Sequence, residues 1–169
     1  MARLELLNHL KNENNSHKKV SIMIFTEGTI LGPKNIFHHF NHASYVPIKN
    51  SVNIIKSWEE QGAEIMYITS RKKLKEVQEI KEILIKNNFS GKYLYYRNKK
   101  QKYKDIVELV APNILIEDNC RSIGGKWQMC ITYVKSEVKE KIKSIVVKEF
   151  TGIDDLPLLL PDLLKFNKT

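Results

Sequence analysis

The sequence predicts an α/β domain, a parallel sheet layered between helices. Three observations carry this: apolar runs of strand length, amphipathic stretches of helix length, and their regular alternation from residue 20 onward. Strands alternating with helices imply parallel pairing through crossover connections. The chain has 169 residues, within the range one core can serve. Seven Gly and five Pro are too few for a collagen-like or disordered chain. No apolar run approaches the ~20 residues that span a bilayer, and the first residues lack the unbroken apolar region of a signal peptide. Cys120 and Cys130 make no disulfide framework, so the expected compartment is the reducing cytoplasm.

The elements follow in order. Residues 1–10 read as a short amphipathic helix with Leu4, Leu7 and Leu10 on one face, and Lys11 to Lys19 as a polar linker. Val20 to Phe25 is nearly all apolar, as a strand buried on both faces must be. Residues 49–61 carry a helical stripe through Val52, Ile55 and Trp58, closed by Gly62. Glu64 to Thr69 is a strand, and Lys73 to Asn88 a helix through Val77, Ile80 and Leu84. Tyr93 to Tyr96 is a strand, Tyr103 to Val110 a helix stopped before Pro112, and Asn113 to Glu117 the next strand. Met129 to Val134 is expected as a further strand and Lys135 to Val147 as a helix. Asp154 to Phe166 reads as a Pro-broken tail packed on the domain. The expected organisation is therefore 1–19 N-terminal helix and linker, 20–150 α/β domain, and 151–169 tail.

Sites in such sheets form at the carboxyl ends of the strands. The first strand ends in Phe25-Thr26-Glu27-Gly28-Thr29, the second in Thr69-Ser70-Arg71, and the strand from Asn113 in Glu117-Asp118-Asn119. Lys102 and Lys104 open the helix between the last two strands. Hydroxyls, cations and a carboxylate pair on one sheet edge suit a phosphate and Mg²⁺, which is held by one or two carboxylates with water and phosphate oxygens.

Over residues 20–135 these motifs resemble those of the haloacid dehalogenase superfamily of phosphohydrolases. The resemblance implies a three-layer, Rossmann-like domain. It makes Thr69, Ser70, Arg71 and a lysine, Lys104 or else Lys102, the phosphate-binding set, and Asp118 with Glu117 the Mg²⁺ ligands. It places Glu27 at the position of the general acid/base and Phe25 at that of the nucleophilic Asp. A phenyl ring neither attacks phosphorus nor ligates a metal. The segment from Ile30 to Gln61 is too short for a large cap, so the implied site is open.

The leading expectation is accordingly a catalytically weak or inactive relative that binds a phosphate-bearing small molecule or macromolecule, or a protein partner, with Mg²⁺ bound weakly. An active Mg²⁺-dependent phosphatase with a non-standard first motif is the alternative. There Thr26 or Glu27 would do more; adjacent strand residues point to opposite faces, so the hydroxyl of Thr26, next to residue 25, should face away unless the strand end twists. A third reading takes the net charge of +9 as a polyanion-binding surface. In Lys92 to Lys104 aromatics interleave with cations, as in single-strand binders. That stretch reads first as a buried strand and solvated loop, so nucleic acid is the weaker partner. Lys supplies 24 of the 28 cations, and Lys is not the residue of base-specific readout. His38, His39 and His42 have helical spacing, but no acid or Cys accompanies them, and they read as surface residues rather than a metal site. Cys120 reads as a small buried residue rather than a nucleophile, and Gly124-Gly125 as a turn or a close-approach loop.

Overall fold

The computed structural model describes residues 4–8, 19–34 and 44–167. Its centre is a six-stranded parallel sheet made of β1 (Glu5–Leu7), β2 (Ser21–Phe25), β5 (Glu64–Ile68), β6 (Tyr93–Tyr95), β7 (Ile114–Asp118) and β8 (Lys143–Val147). Their order is β1-β6-β5-β2-β7-β8, and every neighbouring pair is parallel. Between β2 and β5 lie an antiparallel hairpin, β3 (Leu31–Pro33) with β4 (Tyr45–Pro47), and helix α1 (Ser51–Glu60). The described part of this connection holds no larger cap. Helices α2 (Leu74–Lys86), α3 (Tyr103–Val110), α4 (Ser136–Lys139) and α5 (Leu160–Lys165) complete the molecule.

The central strands are apolar on both faces because both faces are covered. Side-chain alternation sends Ile22, Ile24, Ile65, Tyr67, Ile114 and Ile116 into one core, with Ile55 and Trp58 of α1 and Ile80 and Leu84 of α2. Met23, Phe25, Met66, Ile68 and Leu115 enter the other, with Ile106 and Val107 of α3. The C-terminal segment adds Ile153, Leu156, Leu160 and Leu163 to the first core.

Three sequence expectations are corrected. Residues 5–7 form a strand, not a helix: Leu4 and Leu7 enter opposite cores, as residues three apart must in extended backbone. Met129 to Val134 is not a strand but contains a 3₁₀ turn at Cys130–Tyr133, whose N–H groups serve Glu117. Lys135 to Val147 is not one helix but the short α4 followed by β8, where a β-branched run forms the sheet edge. His38, His39 and His42, and most of the expected linker, lie outside the described residues.

Candidate functional site

The ends of β2, β5 and β7 converge on a cleft of about 820 Å³. Glu27 is its hub. Its side chain is only 8 % exposed, and five donors reach its carboxylate. Thr69 Oγ1 (2.9 Å), Ser70 Oγ (2.8 Å) and Arg71 Nε (2.8 Å) donate to Oε1. The Ser70 N–H (3.2 Å) and the Thr26 hydroxyl donate to Oε2. The Thr26 hydroxyl thus engages Glu27 instead of facing away, because the strand has ended at Phe25 and alternation no longer applies. Burial is the largest influence on Glu27 and raises its pKa. The Arg71 guanidinium and the hydrogen bonds from Thr26, its own backbone and Ser70 outweigh it, so the carboxyl sits below its usual value.

Phe25 continues the Met23 side of β2 into the second core and meets Tyr103 edge-to-face at 5.6 Å between centroids. The Tyr103 hydroxyl donates to the Ser70 carbonyl at 2.9 Å, and the Arg97 guanidinium lies 3.9 Å from the centre of its ring. An apolar and cation–π stack therefore stands where the resemblance places a nucleophilic carboxylate.

The two acids at the end of β7 point apart. Glu117 shares the Leu115 side, and its carboxylate accepts the N–H groups of Cys130 (2.7 Å) and Ile131 (3.0 Å). Burial is the main cause that raises it to about 7, against those two hydrogen bonds, with the Asp118 charge adding to the rise. Asp118 takes the other side. Its Oδ2 accepts the Cys120 N–H at 3.0 Å, and its Oδ1 stands where a Cβ on Gly28 would come within 2.8 Å. Gly28, at φ +81°, is thus required both for its backbone conformation and for this close approach. Burial lifts Asp118 above its usual pKa; the Cys120 N–H opposes this and the Glu149 charge adds to it. Burial and the neighbouring acids push Cys120 up to about 12, which leaves it a thiol at neutral pH.

Sequence reasoning therefore placed Glu27, Thr69, Ser70, Arg71 and Asp118 together; the structure brings Glu27, Ser70, Arg71 and Asp118 into one cleft, with Thr69 buried beneath it and bonded to Glu27. It does not bring the Lys104 ammonium to Glu27. That group pairs with Asp105 (3.1 Å) and Glu108 (3.4 Å) on its own helix. Lys102 begins the same helix, its N–H held by Asp105 Oδ2 at 2.7 Å. The cations lining the cleft are Arg71, Lys72, Lys73 and Arg97. Arg97 and Glu149 were missed, although each lies two residues past a strand end. Recognising β8 as a strand would have exposed Glu149.

The magnesium set implied by the resemblance does not fit these residues. Phe25 offers no oxygen, both Glu117 oxygens face N–H groups, and Glu149 spends its carboxylate on the N–H and hydroxyl of Ser122 at 2.8 and 2.7 Å. Among the described residues no three His, Cys, Asp or Glu side chains are grouped to hold a metal ion. Asp118 remains as a single carboxylate, and a cation held by one carboxylate relies on phosphate oxygens, whose donors Glu27 already occupies.

With this geometry in view, similarity to solved structures is informative. A chain of the Pnkp1/Rnl/Hen1 complex aligns with TM-score 0.54 at 11 % identity, over 82 % of this chain and 49 % of that one. A chain of the Pnkp1/Rnl/Hen1 RNA repair complex gives 0.53 at 14 %, over 82 % and 45 %. The class C acid phosphatase of Bacillus anthracis with tungstate bound gives 0.53 at 18 %, over 81 % and 70 %. The chain shares the α/β, Rossmann-like fold of these structures. The chain spans about half the length of the Pnkp1-complex chains it matches. No family model matches its sequence, and no curated protein sequence matches it. Among the described residues no helix is long and apolar enough to cross a membrane.

The Glu117 environment carries a pH prediction. A carboxyl whose pKa rises on folding stabilises the fold fully below its unfolded value, and that contribution is lost as pH climbs through the folded value. From the usual 4.5 to about 7, the loss on raising the pH approaches ~3 kcal/mol. Urea midpoints should therefore fall between pH 5 and 8. Glu117→Met, which has no proton to bind, should flatten that fall; an unchanged slope would assign it to another group.

Proposed function

We propose that this haloacid-dehalogenase-like domain does not transfer phosphoryl groups through a carboxylate nucleophile and acts instead as a binding module. One observation carries the reading: the Glu27 carboxylate accepts the hydrogen bonds of Thr69, Ser70 and Arg71, the donors that a phosphoryl group would need. The protein supplies its own anion to its own anion site. Phe25 removes the attacking carboxylate, and the disposition of Glu117 removes half of the implied metal set. The tungstate-bound phosphatase among the similar structures supports a phosphohydrolase-related fold, not retention of the activity.

A second reading rests on the Thr26 hydroxyl, which donates to Glu27 in the manner of a nucleophile beside its base. Thr26 is fully buried, however, with its Oγ1 packed 3.3 Å from the Ile68 carbonyl oxygen, so a substrate phosphorus has no approach to it. Both readings meet one assay. With Mg²⁺ and a panel of phosphate monoesters, wild-type turnover should equal that of Asp118→Ala. Turnover that Asp118→Ala abolishes would restore the phosphatase reading. If Thr26→Val also abolished it, the hydroxyl would be its nucleophile.

A further inference from the structure

The basic and aromatic stretch from Lys92 to Lys104 does not form a surface for bases. Tyr93 and Tyr95 are buried in β6, and Tyr103 is closed in between Phe25 and Arg97. Among the described residues the exposed aromatic groups lie elsewhere, in the segment that follows β7. There Ile123, Trp127 and Tyr133 leave 65 %, 62 % and 53 % of their surfaces in water. Ser122, Ile123 and Gln128 of this segment line the same cleft as Lys72, Lys73 and Arg97, and as the acids Glu76 and Glu149. Lys73 pairs with Glu76 at 3.4 Å but keeps 81 % of its side chain in water, so a phosphate can compete for it. Arg121 and Lys126 are exposed beside them, and the Lys126 ammonium lies 5.0 Å from the centre of the Trp127 ring.

The segment is held in place. The Tyr133 hydroxyl donates to the Trp127 carbonyl at 2.8 Å, and the Thr132 hydroxyl to the Lys126 carbonyl at 2.6 Å. The Gln128 N–H donates to the Gly125 carbonyl at 2.8 Å, and Glu149 fixes Ser122. An exposed indole on such a support offers a large apolar face at little further ordering cost on binding.

We propose that residues 121–133, together with Lys72 and Lys73 of the cleft, bind single-stranded nucleic acid. A base stacks on Trp127, and the flanking phosphates meet Lys126, Lys72 and Lys73. The segment itself carries Arg121 and Lys126 and no acid, on a chain of net charge +9, which selects a polyanionic occupant over a neutral or basic protein surface. The exposed ring selects unpaired bases over a duplex, whose bases are already stacked. Lys rather than Arg at the phosphate positions makes the binding indifferent to base sequence. None of this depends on whether the cleft turns over phosphate esters.

Two tryptophans make the test direct. Trp58 is fully buried and Trp127 exposed, so quenching by a ligand in solution reports Trp127. An oligouridylate of about 12 nucleotides, within the ~4–16 that single-strand sites take, is titrated at low salt. The expected result is quenching that saturates, with binding about tenfold weaker in Trp127→Ala, followed there by anisotropy of a labelled oligonucleotide. Retained Trp58 emission shows that this variant is folded. The log–log salt slope should be about −2 for three phosphate contacts and lose about 0.7 in each of Lys72→Ala, Lys73→Ala and Lys126→Ala. No binding at low salt overturns the proposal. So does Trp127→Ala binding as tightly as wild type, or heparin or a duplex of equal length competing as well as the oligouridylate, either of which would mark a general polyanion surface. An acidic protein that alone occupies the segment overturns it as well.

Discussion

Glu27→Ala is expected to lower stability by about 2–3 kcal/mol and to open an anion site that the wild-type protein lacks. The variant removes the acceptor for Thr69, Ser70 and Arg71 in one step. Losing one partner of a buried ion pair costs ~3–5 kcal/mol; the lower figure applies because the Arg71 side chain keeps 24 % of its surface in water. Urea denaturation at pH 7 measures the loss. The donors of Thr69, Ser70 and Arg71 then face an empty space of carboxylate size, and inorganic phosphate can accept from them. Phosphate should raise the melting temperature of Glu27→Ala by about 2–4 °C per kcal/mol of binding energy and leave wild type unmoved. Equal protection of both proteins would show that Glu27 does not block the anion site. In wild type the Glu27 contribution has the opposite pH sign to that of Glu117. A pKa lowered on folding stabilises above the unfolded value and is lost as pH falls below about 4.5.

Removal of residues 153–169 is expected to leave a chain without a cooperative fold. Ile153 and Leu163 are fully buried, and Leu156 and Leu160 are 4 % and 7 % exposed, all in the core that contains Trp58. Truncating one such side chain costs ~2–5 kcal/mol, and a domain has only ~5–15 kcal/mol in total. The segment is also tied at three places to α1 and its C-terminal cap, Gln61. Trp58 Nε1 donates to the Pro157 carbonyl (2.9 Å), Gln61 Nε2 to the Leu158 carbonyl (2.7 Å), and the Leu160 N–H to Gln61 Oε1 (2.8 Å). Circular dichroism in the aromatic region, which reports packing around Trp58, should collapse in the truncated chain. Leu163→Ala grades the effect at ~2–5 kcal/mol. A truncated chain that melts cooperatively would show that the first core closes without this segment.

The core strands and helices were legible because their signals are local. Ile22 to Phe25 and Ile114 to Ile116 can be buried on both faces only in a covered parallel sheet, and α2 and α3 follow from their stripes. The misread elements take their form from distant partners. Leu4 and Leu7 look helical by spacing, yet pairing with Tyr93 to Tyr95 makes their segment a strand. The Cys130 turn exists to cap Glu117, and β8 exists because the edge of β7 accepts it. The paired acids Glu117 and Asp118 were read as one ligand set, although alternation along a strand already sends neighbours to opposite sides.

By itself, the sequence determined the layered α/β architecture, the convergence of Glu27, Thr69, Ser70, Arg71 and Asp118 on one sheet edge, and the absence of a carboxylate at residue 25. Periodicity and strand-end position are properties of the chain alone, so they can be read from it. Only the tertiary structure decided how those groups use one another. Glu27 turns into the donors of β5 and fills their site, Lys104 is taken by acids on its own helix, and Trp127 rather than Tyr93 is left in water. The physical reason is that a charge or an aromatic ring takes the partner that folding brings within reach, and sequence spacing does not state which one that is.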